Sequence, residues 1–199
     1  MAGKSKETKR SIIDAAYELF HEYGFQNTSI EQITKAANCS TGTFYHYFNS
    51  KEALMLGWVE NYDQKYKEWY EQVDQDMHAL DKLYQLNELV FDLMEQRNDV
   101  DVTVAVYTHI MHFRRDFSNI EHDRYYSRLL HTLLREGQAK GEIRKDISYI
   151  ELAKMCYAIQ RGAIVEWCLA SGSYSLKEFG LKLLKLASNS FSANQTGSE

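Results

Sequence analysis

Thr28-Ser29-Ile30-Glu31-Gln32-Ile33-Thr34-Lys35-Ala36-Ala37-Asn38-Cys39-Ser40-Thr41-Gly42-Thr43-Phe44-Tyr45-His46-Tyr47-Phe48 is the stretch on which the reading of this chain turns. Thr28 to Glu31 has the Ser/Thr-x-x-Glu spacing of a capping box, whose side chains satisfy the unpaired N–H groups at a helix start. Ile30, Ile33 and Ala37 then give a short helix one apolar face. Asn38 and Cys39 interrupt that face, and Ser40 can cap a second short helix through Thr41, Thr43, Phe44, Tyr45 and Tyr47. Upstream, Ile12, Ala16, Leu19 and Tyr23 recur at i, i+4, i+7 and i+11, with Ile13 and Phe20 beside them, and Gly24 closes the helix. A long helix followed by two short ones, joined by about three residues, is the layout of a helix-turn-helix unit.

Downstream the pattern stays helical. Asn49 or Ser50 caps a fourth helix over Lys51–Val73, with Trp58, Tyr62, Tyr66, Trp69 and Val73 on one face. Further helices are predicted over residues 79–97, 101–116, 120–140, 148–170 and 176–190, nine in all. Over residues 100–107, Val-Asp-Val-Thr-Val-Ala-Val-Tyr alternates as a strand does. A lone strand would leave its backbone groups unpaired, so a helix is assigned there against local propensity. The chain has 199 residues, 10 glycines and no proline. About ten prolines would be usual, and their absence suits closely spaced helices. The fold class is therefore all-α, with a helix-turn-helix unit in residues 1–50, a larger helical domain in 51–191, and a small polar tail, 192–199, that frays.

Composition excludes several classes. Hydrophobic residues are 44% and charged residues 26%, which suits a globular chain and not a disordered one. The uncharged run Leu186–Ser198 is mostly polar, and a bilayer span needs about 20 apolar residues, so no membrane segment is expected. The charged first ten residues do not read as a secretory leader. Cys39, Cys156 and Cys168 are odd in number and unpaired in spacing, as intracellular thiols are. The expected location is the cytoplasm. The net charge of −5 is uneven: residues 1–51 hold six Lys/Arg against five Asp/Glu, and residues 52–199 hold 17 against 23. Lys4, Lys6, Lys9 and Arg10 supply most of the basic end. A basic tip on an acidic body fits a local nucleic-acid contact, although a solvated terminus would read the same on charge alone.

Ala15-Ala16-x-x-Leu19-Phe20-x-x-x-Gly24-x-x-x-Thr28-Ser29-x-x-x-Ile33, then Ala37-x-x-Ser40-x-Gly42-x-x-Tyr45-x-Tyr47-Phe48-x-x-Lys51-x-x-Leu54, resembles the DNA-binding domain of TetR/AcrR-type transcriptional regulators. The likeness covers about 40 residues, with Asn38 where glycine is frequent and Tyr47 where histidine is frequent. It implies a ligand-responsive regulator, read as a repressor, that binds double-stranded operator DNA and is not an enzyme. The implied DNA-binding residues are Thr28, Ser40, Thr41, Gly42, Thr43, Tyr45, His46 and Lys51. The chemistry agrees: Thr41 and Thr43 are short and polar, Gly42 admits close approach, and Tyr45, His46 and Lys51 can donate to phosphates. Phe44, Phe48 and Leu54 should pack inside. Arg and Gln are missing from the third helix, so thymine methyls and phosphates matter more there than bidentate reading of guanine.

For the larger half, the resemblance implies a homodimer built from the last two helices and an effector pocket among the fourth to eighth. The eighth helix is apolar almost all round and needs cover on two sides. Ile164, Trp167, Cys168, Phe179 and Leu183 are the candidate dimer residues, which would set two recognition helices roughly 34 Å apart on a palindrome. Trp58, Tyr62, Phe91, Met94, Tyr107, Met111, Tyr126 and Arg161 are the candidate ligand-binding residues, for a small apolar or aromatic effector. For Arg161, an ion pair with Glu166 or a partner chain is the favoured alternative to ligand contact. No cofactor and no metal is expected. His109, His112 and Asp116 have a spacing that could hold a divalent ion and support a hydrolase, but solvated or core histidines fit as well, and no nucleophile motif or phosphate loop accompanies them. A third reading keeps the fold and uses the dimer to bind protein.

Overall fold

In a computed structural model, the structure describes residues 2–95, 100–112 and 124–193, excepting the side chains of residues 2–4, 55–61, 109, 110, 112 and 189. Nine α-helices are present among the described residues: α1 (Ala2–Tyr23), α2 (Ile30–Ala36), α3 (Thr41–Tyr47), α4 (Ala53–Gln72), α5 (Ala79–Glu95), α6 (Val100–His112), α7 (Tyr125–Lys140), α8 (Tyr149–Leu169) and α9 (Leu176–Ser188). The chain forms two compact units, one of residues 1–62 with 99–114, the other of 63–98 with 115–199. The boundary falls inside α4, after Tyr62.

The first unit packs α1, α2 and α3 around Ile12, Ala16, Phe20, Phe25, Ile33, Phe44, Phe48 and Leu54, all buried. Phe20 meets Phe25 edge-on at 4.9 Å, and Phe44 meets Phe48 at 5.7 Å. The strand-like segment is a helix because this core rewards the helical register. Val102 is buried in it and Ala105 and Val106, at i+3 and i+4, pack against it, while Val104 stays exposed. Tertiary burial here outweighs β-branched propensity.

Ser40 caps α3 and Ser50 accepts from Ala53 N at the start of α4, as expected, whereas the cap of α2 differs from the expected one by one residue. Ser29, not Thr28, starts α2: its Oγ accepts from Gln32 N (3.2 Å), and Gln32 Oε1 accepts from Ser29 N (2.7 Å). Thr28 is drawn inward instead, its hydroxyl directed at the carbonyls of Gly24 (2.9 Å) and Leu19 (3.2 Å). α2 ends in a Schellman arrangement, with Cys39 N donating to Thr34 O (2.9 Å) and Asn38 N to Lys35 O (3.2 Å). Asn38 takes φ 51°, the left-handed conformation that asparagine tolerates best after glycine.

In the second unit, α9 packs on α5 and α8, and α7 on α5 and α8. Three helices are capped by carboxylates from elsewhere in this unit. Glu142 accepts from Ala79 N at the start of α5 (2.7 Å). Asp63 accepts from Tyr125 N and Tyr126 N at the start of α7 (3.1 and 3.3 Å). Glu95 accepts from Lys177 N in α9 (2.8 Å). Negative charge at a helix start also suits the helix dipole. Two glycines permit close packing: a Cβ at Gly180 would lie 2.5 Å from the Phe91 ring, and one at Gly137 would lie 2.6 Å from Ala79 and Ile143. The final segment is docked further than composition suggested. Phe191 is buried, Arg144 N donates to its carbonyl (2.9 Å), and Ser192 bridges Ile143. Within the stretch expected to fray, Ser192 pairs with Ile143 and Ala193 N donates to Glu142 O (3.4 Å); its other residues lie outside the described ones.

Candidate nucleic-acid interface

α3 is fixed from behind and capped at its start. Phe44 is fully buried and Phe48 follows it into the core. Ser40 Oγ accepts from Thr43 N (3.0 Å) and bonds Thr43 Oγ1 (2.8 Å), so the hydroxyls of Ser40 and Thr43 are paired with each other. Thr41, Gly42, Tyr45 and His46, at i, i+1, i+4 and i+5, form the exposed face, and Tyr45 is 53% exposed. The apolar side anchors the helix and the polar side is left open, as a groove-reading element requires.

Gly42 lacks an internal reason to be glycine. A Cβ there would meet only Ser40 Oγ, at an ordinary 3.7 Å. Alanine would favour the helix by about 1 kcal/mol.

Thr28 and Lys51 lie behind this face. Thr28 is 3% exposed. Lys51 sends its ammonium to the carbonyls of Phe25 (2.5 Å) and Thr28 (2.8 Å), and Nζ sits 4.3 Å from the centroid of the Phe25 ring. Burial lowers the Lys51 pKa, against a small opposing effect of Glu52. The two carbonyl acceptors favour the charged form. It closes the α1–α2 turn from within. One contact was not legible in the sequence: Ser5 Oγ lies 3.1 Å from Tyr47 Oη, joining the first turns of α1 to the last residue of α3.

The candidate effector residues divide between the two units. In the first, Tyr62 is buried, Tyr107 is half-buried and Met111 is 67% exposed; the Trp58 side chain lies outside the described ones. In the second, Phe91 is buried against Gly180 and Met94 is half-buried. Tyr126 and Arg161 come together through Tyr157: the Tyr126 and Tyr157 rings are 5.8 Å apart, and the Arg161 guanidinium carbon is 5.2 Å from the Tyr157 centroid. Tyr66 adds a further ring 5.1 Å from Tyr126. Periodicity missed a buried polar centre beside these rings. Gln160 Nε2 donates to Tyr126 Oη (2.9 Å) and Asn87 Oδ1 (3.1 Å), and Asn87 Nδ2 donates to Leu83 O (2.8 Å). Burial raises the Tyr126 pKa well above the ordinary value, so its hydroxyl stays neutral. The one sequence signal was a glutamine and an asparagine at otherwise apolar helix positions. The histidine set falls outside the described residues, as the side chains of His109 and His112 and all of Asp116 do.

Of the candidate dimer residues, Ile164 and Trp167 are 1% exposed within the single chain, and Trp167 Nε1 donates to Tyr174 O (2.9 Å). They serve their own core. Cys168 and Leu183 are half-buried and Phe179 is exposed. The large apolar side chains left open on these helices are Ile150, Met155, Leu169, Phe179 and Leu186, with Ala158 and Gly162 between Met155 and Leu169 on α8. Among the described residues no helix is long and apolar enough to cross a membrane.

Comparison with known proteins gives this architecture relatives. Residues 12–57 match the family model of bacterial regulatory proteins of the tetR family, and residues 59–189 match that of the YsiA-like protein C-terminal region. The fatty acid metabolism regulator protein of Bacillus subtilis is 25% identical over 194 residues, covering 92% of this chain and 95% of that one. The transcriptional regulator YuxN of Bacillus subtilis is 43% identical over 60 residues, which is 30% of this chain and 21% of that protein. Among solved structures, Thermus thermophilus FadR, described as a transcriptional repressor in complex with lauroyl-CoA, has a TM-score of 0.75 at 20% identity over 96% of this chain and 98% of its own.

Proposed function

The chain belongs to the TetR family of bacterial transcriptional regulators, and we propose that it represses from a palindromic operator, bound as a homodimer and released by a small apolar effector. The observation that carries this reading is the exposed face of α3, Thr41, Gly42, Tyr45 and His46, set over a core that fixes the helix. Thr41 and the Gly42 backbone approach base edges, and Tyr45 and His46 donate to phosphates. Ser40, Thr43, Thr28 and Lys51 act one layer behind, by holding α2 and α3. Residues 1–50 are the DNA-binding domain and 51–191 the effector and dimerisation domain, working in the cytoplasm.

A second copy of the chain covers the apolar remainder of α8 and α9. Met155, Ala158, Gly162 and Leu169 recur at helical spacing, and Phe179 and Leu186 extend the patch onto α9. A two-fold pairing makes that patch self-complementary. Ile164 and Trp167 support it from inside.

The effector reading draws on Tyr66, Tyr126 and Tyr157, apolar rings with the Gln160 amide and the Arg161 guanidinium close by. An apolar chain with an anionic head would suit both kinds of group. The fatty acid metabolism regulator and the lauroyl-CoA complex among the relatives support a fatty acyl thioester. Its binding would shift α4, which continues from the first unit into the second, between states of unequal DNA affinity.

The test is release. A duplex enriched by the protein from a random pool is bound and then titrated with lauroyl-CoA. The reading expects release by lauroyl-CoA and none by coenzyme A alone. Equal effects of the two would remove the acyl-chain effector, and failure to enrich any duplex would remove the regulator reading itself.

A further inference from the structure

We infer that the first turns of α1, residues 2–10, form a second phosphate-contacting element, latched to the recognition helix by the Ser5–Tyr47 hydrogen bond. The inference rests on the DNA-binding reading above and extends it to a segment that the α2–α3 pair does not include.

The buried stripe of α1 begins at Ile12. Residues 2–11 are Ala-Gly-Lys-Ser-Lys-Glu-Thr-Lys-Arg-Ser, which offers no large apolar side chain to a core. Ten such residues would be a marginal helix alone. Yet α1 is helical from Ala2, more than two turns before its first core residue. Ser5, an exposed residue, stands seven residues before Ile12 and so lies on the same side of the helix. Its hydroxyl meets Tyr47 Oη at 3.1 Å.

That contact sets the basic segment at a particular place. Tyr47 is the last residue of α3, directly after the exposed Tyr45 and His46. Lys6, Lys9 and Arg10, at i, i+3 and i+4, lie within five residues of Ser5 on the same two turns. Lys6 and Arg10 are exposed and Lys9 is half-buried. Glu7 is the one acidic residue among the first ten, against four basic ones. Arg10 also lies 3.7 Å from Asp14, with both side chains more than half exposed, a pairing weak enough for a phosphate to displace. A net positive segment of an otherwise acidic chain is thereby set beside the end of the helix that reads DNA. A duplex engaged by α3 would carry its backbone past these amines. Such contacts add affinity without adding sequence information.

The test is a salt series on the full-length protein, read by fluorescence anisotropy with the duplex enriched from the random pool and a scrambled duplex of equal length. Each phosphate contact contributes about 0.9 to the slope of log affinity against log salt. Lys6→Gln with Lys9→Gln removes two contacts from each protomer of the bound dimer and is expected to flatten the slope by about 3.6, so that between 50 and 200 mM salt the variant loses roughly a hundredfold less affinity than wild type. The preference for enriched over scrambled duplex stays at its wild-type value. Lys6→Arg with Lys9→Arg keeps the slope. Tyr47→Phe, which keeps the ring and removes the latching hydroxyl, flattens the slope in the same direction by a smaller amount. An unchanged slope in the double glutamine variant would overturn the phosphate contact. A slope lost in that variant but kept in Tyr47→Phe, with only a lower melting temperature, would overturn the latch. If wild type binds neither duplex at any salt, the DNA-binding reading fails, and that outcome is distinct from both.

Discussion

Replacing Lys51 separates two physical roles for the same cation. An ammonium that binds a DNA phosphate can be removed without cost to the free protein. An ammonium that holds the chain cannot. Lys51 Nζ lies 2.5 and 2.8 Å from the carbonyls of Phe25 and Thr28, and 4.3 Å from the Phe25 ring. Hydrogen bonds from a charged donor are worth about 1.5–3 kcal/mol each, and the contact with the ring adds about 0.5–1 kcal/mol. Lys51 is half-buried, so screening calls for the low end of these values. Lys51→Ala should therefore cost about 2–4 kcal/mol. For a chain of this size that lowers Tm by roughly 5–15 °C, read by far-UV circular dichroism. Duplex affinity should fall with it, because Thr28 O lies directly before the cap of α2. Lys51→Met, which keeps the apolar stem, should recover a minor part of the loss. A Lys51→Ala protein that melts within about 1 °C of wild type yet loses duplex affinity would refute the reasoning and assign the ammonium to a phosphate.

Three further outcomes follow from the same geometry. Gly42→Ala should stabilise the free protein by up to about 1 kcal/mol, since its methyl meets only Ser40 Oγ at 3.7 Å, while weakening duplex binding; a gain in stability without loss of affinity would show that the backbone does not approach DNA there. A Cβ at Gly162 would meet nothing within 4 Å in the single chain, so Gly162→Leu should leave the fold intact and shift sedimentation from dimer toward monomer; an unaltered dimer would move the two-fold contact off this part of α8. Burial pushes the Cys156 thiol up to about 12 from about 9. The folded pKa is raised, so the stability is fully present below pH 9 and is lost as pH rises toward 12, by about 1.4 kcal/mol per pH unit. Cys156→Ala should lack that component of the alkaline loss, and equal declines in urea unfolding for both proteins would contradict the burial of the thiol.

Much of the fold was legible because the signals were periodic. Ile12, Ala16, Ile33, Phe44, Phe48 and Leu54 stand at helical spacing between caps, and they form one core. Periodicity identifies an apolar face without naming what covers it. Ile164 and Trp167 therefore read equally well as dimer contacts and as core, and within the chain they are core. The segment at residues 100–107 shows the converse, since its helical register is set by Val102, Ala105 and Val106 meeting a core built from distant residues. The carboxylate caps from Asp63, Glu95 and Glu142 were invisible for the same reason, because each joins positions about 60–80 residues apart. At the candidate interface the residue types were readable and their directions were not. Thr28 and Lys51 carry groups that could bind phosphate, and both turn toward the chain.

The most direct test of the central claim compares affinity for a duplex enriched from a random pool with affinity for its scrambled counterpart at physiological salt. A repressor reading its operator through the exposed face of α3 should prefer the enriched duplex by about a thousandfold or more. It should lose that preference on Thr41→Ala with Tyr45→Ala while remaining dimeric. Equal affinity for the two duplexes, or a preference that survives the double substitution, would contradict the account.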